Sequence, residues 1–331
     1  MDSQIARNQV SRLITSYCLS QAIYTAAALG IADLLAEGPR TADSLARETG
    51  CSVSHLARLM RALCTVGLFT ENDGAFRLTA LSRYLCKDAA DSLWPMAMLH
   101  GDEMYRAFGR LIDNVRTGRP AWDAAFEASV WEYFRQNPPR STLFDRVMRS
   151  NHEDDLAEMV SACEFPEGCV VVDVGGGDGS LLRQILQQNE SVTGVLFEQP
   201  SVIARATADP EWQALSTRCR FVAGDFFTDI PEGADLYVFR HVLHDWGDES
   251  CLRLLERCRR VMSSSGRILV IEAILGRQGA AAQWSDLGVM VLGGQEREEE
   301  EFCRLLRTAG FSRVRTIPSK ARVSLLEASV A

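Results

Sequence analysis

The feature that most constrains this 331-residue chain is a glycine cluster that directly follows a run of valines. Val170–Val174 predicts a short buried strand, and the glycines at 175–177 and 179 predict a tight turn. Ser180 is then expected to cap a helix with an apolar face. Because glycine lets a ligand approach the backbone closely, the strand, turn and helix together predict a nucleotide-binding site.

Acidic residues in this motif narrow the choice of nucleotide. A dinucleotide fingerprint needs a third glycine where this chain has Ser180, and the Lys-Ser or Lys-Thr pair of a phosphate-binding loop is missing. Asp173 and Asp178 would repel a pyrophosphate, but they suit a ligand that carries an ammonium and a sulfonium. S-adenosylmethionine is such a ligand, and Asp173, Gly175 and Gly177 are predicted to bind it. A strand, turn and helix without any ligand is the alternative.

Bulk composition limits the other function classes. The net charge of −9 argues against general nucleic-acid binding, which depends on clustered lysines and arginines. No apolar run reaches membrane-spanning length, and the N-terminus lacks the basic and apolar segments of a signal peptide. The ten cysteines form no Cys-x-x-Cys pair, which favours reduced thiols in a cytoplasmic protein without a membrane partner.

The first predicted region, residues 1–90, has the element order of a winged helix, with helices followed by two short strands. Basic and acidic residues balance over residues 1–100, so dimerisation is favoured over DNA binding, although Arg58 and Arg61 could contact phosphates. The apolar run at residues 23–29 is expected to lie in the core or against a second subunit, and we predict a homodimer.

Two further regions are predicted. Residues 91–165 are expected to be helical, and some of their many aromatic residues are expected to line a substrate pocket. Residues 166–331 alternate strands with helices, which predicts an α/β fold with a mostly parallel, doubly wound sheet. Ligands of such sheets bind at the C-terminal ends of the strands.

Candidate ligand-binding residues follow these predicted strands. Glu198 ends the second strand, where a carboxylate can accept both ribose hydroxyls of a nucleotide. Asp225 follows the third strand and could accept the adenine amino group, while Phe226 lies against the ring. Each carboxylate alone could merely cap a helix, but with the glycine cluster they form an ordered set.

Two histidines follow the fourth predicted strand. A histidine at the ligand-binding edge of a sheet is a natural general base. If the strand continued through His241 and His244, their odd separation would place the side chains on opposite faces. Two alternatives remain open: a His-Asp pair that caps a helix, and a metal site of His241, His244 and Asp245, which lacks a clear fourth ligand.

These segments resemble, in order, the small-molecule O-methyltransferases of the caffeic-acid and hydroxyindole type, in their bacterial natural-product branch. The similarity covers nearly the whole chain and rests on residues 171–180, 198–200, 224–227, 241–246 and 293–297. It implies a Rossmann-like class I methyltransferase sheet and a winged-helix-like dimerisation domain. It also implies an intertwined homodimer, S-adenosylmethionine as methyl donor without a metal, S-adenosylhomocysteine as product, and a hydroxylated aromatic acceptor.

Individual roles also follow from the resemblance. His244 matches the catalytic base, and Glu272 and Glu296 match the two acidic residues that orient it. Arg240 matches a basic residue near the adenine. Residues that match the substrate and cosubstrate pocket are Phe144, Met148, Asp245, Trp246 and Met290. Glu198 stands where the family has Asp, and the segment 286–296 is one residue shorter than the common bacterial form.

The implied mechanism is attack of a hydroxyl on the sulfonium methyl, with His244 removing the proton. Proton transfer from a phenol of pKa about 10 to a histidine of pKa about 6.5 would be uphill by roughly 5 kcal/mol. A carboxylate that favours the imidazolium is therefore expected beside His244. Two other readings stay open: a relative that methylates carbon or nitrogen or catalyses decarboxylation or hydroxylation, and a DNA-binding regulator.

Overall fold

The computed structural model describes residues 3–152, 155–277 and 279–330. The chain divides into two compact units. One comprises Met1–Gly109 and Thr142–Ser150, and the other comprises Arg110–Ser141 and Asn151–Ala331. The three-part division at residues 90 and 165 stays a prediction. None of the described helices combines the length and the apolar character that a membrane crossing needs.

The first unit begins with helices and contains a small sheet. Its elements are α1 (Ser3–Ile14), α2 (Tyr17–Ala28), α3 (Ile31–Ala36), β1 (Arg40–Thr41), α4 (Ala42–Thr49), α5 (Val53–Cys64), β2 (Phe69–Asn72), β3 (Ala75–Leu78), α6 (Trp94–Leu99) and α7 (Tyr105–Phe108). The three strands pair antiparallel in the order β1-β3-β2. The predicted order of two helices and a β-hairpin is confirmed.

The apolar run at residues 23–29 and helix α1 differ in how far they are buried. Within the run, Ala26 and Ala27 belong to the core, at 1% and 2% exposed, which agrees with one of the two predicted alternatives. Helix α1 buries none of its residues, although it carries several large apolar side chains. Arg61 on α5 is bound by Glu71, with Nε 3.0 Å from Oε2. One of the two arginines considered for phosphate contact is therefore engaged within the fold.

A series of short helices leads to the sheet: α8 (Leu111–Thr117), α9 (Ala121–Phe126), α10 (Val130–Gln136), α11 (Pro138–His152) and α12 (Leu156–Ala162). The helical prediction for this region is confirmed. Helix α8 ends at Thr117 with left-handed Gly118 as its C-cap, and Pro120 directly precedes α9, as glycine and proline commonly do at helix boundaries. The prolines at 138 and 139 likewise mark the boundary between α10 and α11.

The rest of the chain forms a seven-stranded sheet with helices between its strands. Its elements are β4 (Val170–Val174), α13 (Ser180–Gln188), β5 (Thr193–Glu198), α14 (Pro200–Ala208), β6 (Cys219–Ala223), β7 (Leu236–Arg240), α15 (Asp248–Val261), β8 (Arg267–Glu272), α16 (Ala280–Leu292), α17 (Glu299–Thr308), β9 (Phe311–Ile317) and β10 (Ser324–Val330). The strand order is β6-β5-β4-β7-β8-β10-β9.

The five strands β4–β8 are parallel, which confirms the predicted doubly wound sheet. Strand β10 inserts antiparallel between β8 and β9, and β9 is an edge strand that the sequence reading missed. Its exposed arginines, Arg313 and Arg315, alternate with half-buried Ser312, Val314 and Thr316, so it lacks the apolar run that marks the central strands. The strand order reverses beside β4, and this switch point is where open α/β sheets bind ligands.

Candidate active site

The glycine turn joins β4 to α13 at the switch point. Gly175 and Gly179 have φ of 67° and 77°, a left-handed conformation that side chains rarely adopt. A Cβ on Gly176 would lie 2.6 Å from the Asp173 carboxyl and 2.6 Å from the Leu196 side chain. The cluster is therefore required both by backbone conformation and by close packing. Binding of a ligand at this turn stays a prediction.

The start of α13 corrects one expectation. Ser180 is the first helical residue, and the N-cap is Gly179. Asp178 supplies the capping hydrogen bond, because its Oδ1 accepts the N–H of Ser180 at 3.0 Å. The left-handed turn at Gly179 places Ser180 inside the first helical turn, so a serine cap at position 180 was wrong. The Ser180 hydroxyl instead accepts a hydrogen bond from Arg240 Nη2 at 3.4 Å.

Asp173 and Arg240 lie beneath the glycine turn. Asp173 is 1% exposed, and within the described ranges neither of its carboxylate oxygens has a partner in good hydrogen-bond geometry, although the backbone of Leu182 lies close enough to lower its pKa. Within these ranges Arg240 Nη1 likewise has no hydrogen-bond partner. Burial raises the pKa of Asp173 to about 7, against the opposing effect of the Arg240 guanidinium. Buried polar atoms without partners are costly, so these atoms mark a place where ligand or water completes the site.

Glu198 ends β5 beside the same turn. Its Oε2 accepts the N–H of Gly177 at 3.2 Å, and its Oε1 accepts the N–H of Gln199 at 2.6 Å. The carboxylate therefore contacts the backbone of the glycine turn directly. This contact brings together two residues that the sequence singled out separately, Glu198 and Gly177, because β4 and β5 are parallel neighbours whose C-terminal ends meet.

Asp225 and Phe226 follow β6 on the same edge of the sheet. Asp225 is exposed, and its Oδ1 accepts the N–H of Phe227 at 2.8 Å. The Phe226 ring approaches the glycine turn, since a Cβ on Gly175 would lie 3.5 Å from its Cε1. Contact of Asp225 and Phe226 with an adenine stays a prediction, as does contact of Arg240.

The two predicted histidines lie in a turn after β7. The strand ends at Arg240, and His241 adopts a φ of 53°, so the extended chain stops before either histidine. A single 3₁₀ turn follows at Leu243–Asp245. The two imidazole rings lie 5.3 Å apart, centroid to centroid. The condition under which the two side chains would point to opposite faces, a strand that continues through both histidines, is therefore not met.

His244 is surrounded by carboxylates. Its Nδ1 lies 3.1 Å from Glu296 Oε1 and 3.6 Å from Glu272 Oε2, and its Nε2 lies 3.6 Å from Asp245 Oδ1. Burial alone lowers the pKa of His244. The negative charges of Glu272, Asp245 and Glu296 outweigh burial and raise that pKa to about 10. The ligand-free site therefore holds His244 as an imidazolium at neutral pH.

His241 has the opposite electrostatic character. Its pKa lies well below the ordinary value, first because the ring is buried and then because of the charge on His244 and on Arg240. His241 is therefore a neutral imidazole under conditions in which His244 is charged. Composition gives the two histidines equal standing, whereas their surroundings separate them.

Glu272 ends β8 and is completely buried. Its Oε1 accepts the N–H groups of Val242, Leu243 and His244 at 3.1, 2.8 and 3.3 Å. Burial raises the pKa of Glu272, while the charge of His244 and these hydrogen bonds lower it. Of the two acidic residues predicted to orient the base, only Glu296 is within hydrogen-bond distance of the imidazole, and Glu272 binds the backbone that carries it.

The metal alternative changes its ligand set in the structure. Possible ligand atoms of His241, His244 and Glu272 lie within 4.8 Å of one another, whereas Asp245 is not part of this group. Two histidines and a glutamate form a set that zinc accepts. However, the His244 Nδ1 that faces this group is also the atom 3.1 Å from Glu296 Oε1.

Aromatic side chains surround Trp246, one of the residues predicted to contact substrate. The Trp246 ring stacks on Trp131 at 6.3 Å and meets Phe227 edge-on at 4.7 Å and Phe226 at 6.1 Å, centroid to centroid. The other predicted substrate residues lie on helices and are half-buried: Phe144 and Met148 on α11, and Met290 on α16. Their contact with a substrate stays a prediction.

Sequence reasoning missed Arg297, which is 1% exposed and binds the histidine turn. Its Nη1 donates to the carbonyl of Leu243 at 3.0 Å, and its Nη2 donates to the carbonyl of Trp246 at 2.7 Å. The available signal was its position directly after Glu296. Arginine is rarely fully buried unless its guanidinium is paired, as it is here.

The parallel sheet, the glycine turn at its switch point and the acidic strand ends define a class I methyltransferase site. Residues 108–312 match the family described as an O-methyltransferase domain, and residues 11–88 match an O-methyltransferase dimerisation domain. The chain therefore belongs to the S-adenosylmethionine-dependent O-methyltransferases. The resemblance inferred from sequence is confirmed.

Relatives support this assignment along almost the full chain. A phenazine O-methyltransferase of Lysobacter antibioticus is 36% identical, with 96% of this chain and 94% of the relative aligned. A mitomycin biosynthesis 6-O-methyltransferase of Streptomyces lavendulae is 37% identical over 96% of this chain and 92% of the relative. An 8-amino-8-demethylriboflavin N,N-dimethyltransferase of Streptomyces davaonensis is 32% identical over 90% and 88%, so nitrogen acceptors also occur among the relatives.

Solved structures agree. An O-methyltransferase from neocarzinostatin biosynthesis, in complex with S-adenosyl-L-homocysteine and 1,4-dihydroxy-2-naphthoic acid, matches with a TM-score of 0.87 and 34% identity. The match covers 95% of this chain and 96% of that one. This chain is thus an S-adenosylmethionine-dependent O-methyltransferase similar to enzymes of natural-product biosynthesis.

Proposed function

We propose that this enzyme methylates a hydroxyl of an aromatic small molecule in natural-product biosynthesis, with His244 as the general base. The observation that carries the proposal is the 3.1 Å contact between His244 Nδ1 and Glu296 Oε1. With Nδ1–H donated to Glu296, Nε2 is the nitrogen that can take a proton from an acceptor. Geometry of this kind is what general-base catalysis requires.

The residues at the ends of β4 and β5 fit S-adenosylmethionine. When bound, this cosubstrate supplies an electrophilic methyl group on a positively charged sulfur. The Asp173 carboxyl and Arg240 Nη1 are buried polar atoms without partners among the described residues, as a zwitterionic ligand end would require. Glu198 offers a carboxylate at the position where nucleotide-binding βαβ units bind ribose.

The raised pKa of His244 redistributes the cost of removing the acceptor proton. With a pKa of about 10, the imidazole matches a phenol, so the transfer itself is nearly balanced. The imidazolium must first lose its resting proton at pH 7, which costs about 4 kcal/mol. The carboxylates therefore move the free-energy cost from the proton transfer itself to the earlier deprotonation of the His244 imidazolium. A cationic ligand nearby would favour the neutral imidazole in that earlier step.

Aromatic surroundings favour a flat acceptor. Trp246 directly follows the residue beside the base, and Trp131 and Phe227 pack on its ring. Aromatic side chains bind planar ligands through stacking and edge contacts. A planar aromatic alcohol is therefore the acceptor class that we propose, in line with the acceptors named for the relatives.

A matched panel of acceptors tests the reaction class. Purified enzyme would be incubated with methyl-labelled S-adenosylmethionine and pairs of naphthols and naphthylamines of the same shape. We expect label transfer to hydroxyls and little to amines. Because a relative methylates nitrogen, preferential labelling of the amines is the competing outcome, and it would overturn oxygen as the acceptor atom.

We also propose that the enzyme is a homodimer that uses α1 in its interface. The helix exposes Ile5, Val10, Leu13 and Ile14, each more than half exposed, and no described side chain of α1 is buried. A contiguous apolar helix face of this kind marks an association surface. Light scattering at falling concentration should give the mass of two chains. A dilution-independent mass of one chain would refute the dimer.

A further inference from the structure

We propose that Arg297 is a positioning residue for methyl transfer, which acts by fixing the turn that carries His244. The inference rests on the proposed role of His244 as the base and adds a residue that acts on it through the backbone.

Arg297 binds three acceptors in the histidine turn and its following helix. Its Nη1 donates to the Leu243 carbonyl and its Nη2 to the Trp246 carbonyl, at 3.0 and 2.7 Å. Its Nε and Nη2 also donate to Asp248 Oδ1, at 3.0 and 2.8 Å. The guanidinium presents its donors in a rigid planar fork, so these contacts fix the two carbonyls and the first residue of α15 relative to one another.

The opposite side of the turn is fixed by Glu272. That carboxylate accepts the N–H groups of residues 242–244, while Arg297 takes the carbonyls of residues 243 and 246. The buried carboxylate of Glu272 therefore binds the N–H groups of this short turn, and the buried guanidinium of Arg297 binds its carbonyls. Both side chains are at most 1% exposed, so water does not compete for these bonds.

The segment before Arg297 closes the remaining gap. Gln295 donates its backbone N–H to the His244 carbonyl at 2.8 Å. Gly294 lies so close that a Cβ there would be 2.0 Å from the same carbonyl oxygen. All three carbonyls at residues 243, 244 and 246 are thus bound by residues 295–297.

We call Arg297 and the acceptors that it binds on Leu243, Trp246 and Asp248 the clamp. The clamp is linked to the His244 imidazole through the chain. Glu296, which hydrogen-bonds His244 Nδ1, directly precedes Arg297 in the sequence. Loosening Arg297 would therefore disturb both the backbone of the base and the carboxylate that orients its ring. A displacement of about 1 Å at a reacting group can cost on the order of 10²-fold in rate.

The competing explanation is that Arg297 only stabilises the fold, and the chain contains a matched control. Arg218 donates to the carbonyls of Leu186, Asn189 and Val192 at 2.8, 3.0 and 3.1 Å. Those carbonyls precede β5, whereas the site lies after its six residues, about 20 Å further along the strand direction. Arg218 thus binds three carbonyls, one more than Arg297 does, and these carbonyls lie outside the site.

The experiment compares Arg297→Lys, Asp248→Asn and Arg218→Met with the unaltered enzyme. Lysine keeps the buried charge but cannot bind both carbonyls and Asp248 as a fork, and Asp248→Asn weakens the clamp without touching Arg297. Measurements are kcat, KM for S-adenosylmethionine, the melting temperature, and the pH titration of His244 by NMR in ligand-free protein. The chain has five histidines, so His244→Gln assigns the signal.

We expect Arg297→Lys to lower kcat by about 10- to 100-fold with KM for the cosubstrate within about twofold. The His244 titration should move to lower pH, because the groups that face it, Glu296, Glu272, Asp245 and His241, no longer hold their distances. Asp248→Asn should show a smaller change of the same kind. Arg218→Met should lower the melting temperature while leaving kcat and the titration unchanged.

An unchanged His244 titration and kcat in folded Arg297→Lys would overturn the proposal, and so would equal losses in Arg218→Met. If Arg297→Lys does not fold, the same decision is made on Asp248→Asn. Failure of the base assignment gives a different result, namely full turnover in His244→Gln. In that case the His244 titration in the Arg297 and Asp248 variants still tests whether Arg297 positions the turn.

Discussion

The two ends of the site differ in how far the protein's own side chains bind the backbone of the turn that forms each end. Beneath the glycine turn, both oxygens of Asp173 and one nitrogen of Arg240 have no partner among the described residues. Around the histidine turn, Glu272 and Arg297 bind successive backbone N–H and carbonyl groups. Buried carboxylate oxygens without a partner among the described residues also occur at the histidine turn, at Glu272 Oε2 and Glu296 Oε2. The difference therefore lies in the backbone, which the protein itself organises at the histidine turn, whereas we propose that the ligand completes the cosubstrate end.

This difference separates the expected effects of substitution. Changes of Glu198 and Asp225 at the cosubstrate end remove the proposed ligand contacts together with a few local backbone hydrogen bonds, so we expect affinity to fall while the ligand-free protein stays folded. Changes at the histidine turn alter a preformed arrangement, so the rate should fall with little change in cosubstrate affinity.

The largest expected effect is at His244. His244→Gln should lower kcat by about 10² to 10⁴-fold, because loss of a general base typically costs this much. Affinity for S-adenosylmethionine, measured by calorimetric titration, should stay within about twofold, since the cosubstrate contacts lie elsewhere. His241→Gln is the neighbouring control and should retain most activity. Full activity of His244→Gln would remove the base from the mechanism.

The cosubstrate end gives the next largest effect. Glu198→Ala and Asp225→Ala should each weaken S-adenosylmethionine binding by about 10- to 100-fold, the usual worth of a hydrogen bond to a charged group. Circular dichroism of the ligand-free variants should match the unaltered protein. Asp235 bonds the N–H of Val170 at the opposite end of β4, so Asp235→Ala is a matched acidic control that should leave affinity unchanged. Unaltered affinity in both test variants would break the comparison between the two ends.

The sequence was most informative for features that a few adjacent residues specify, such as a buried strand and the turn after it. The valines of β4 and the glycines after it fix a buried strand and a turn by themselves, and Glu198 and Glu272 were placed at strand ends from strand patterns or family motifs. These features depend on a few adjacent residues. The sheet, the cosubstrate class and the acidic strand ends could therefore be predicted.

The histidine turn depends on residues far away in the chain. His241 takes a left-handed φ while Glu272, some thirty positions later, binds the N–H groups that follow it. The end of the strand at Arg240 was predicted, but no local pattern signals the left-handed bend at His241 or the approach of the two imidazole rings. Arg297 was missed for the same reason, since its partners precede it by about fifty positions. The exposed apolar residues of α1 were also not predicted as an interface, because the run at 23–29 is more apolar and was chosen instead.

The pH dependence of the rate gives a smaller effect that sharpens the view of the catalytic end. Below its pKa of about 10, ligand-free His244 is an imidazolium, and its neutral fraction rises about tenfold per pH unit. The value of kcat/KM, which reports the free enzyme, should therefore rise with pH. Glu296→Gln removes a negative charge that raises this pKa, so the rising limb should move to lower pH. A shift to higher pH would contradict the assigned role of Glu296.

The smallest expected effect is that of a metal chelator, and it tests whether the catalytic end is complete without an ion. A metal at His241, His244 and Glu272 would need His244 as a neutral ligand, but the surrounding carboxylates raise the pKa of His244 to about 10 and its Nδ1 faces Glu296. Binding would therefore have to displace both a proton and a hydrogen bond. We expect EDTA to leave kcat unchanged, and added Zn²⁺ to give no activation. Loss of activity in EDTA that Zn²⁺ restores, and that His241→Gln reproduces, would show that the histidine turn is organised by a metal ion and not by the protein alone.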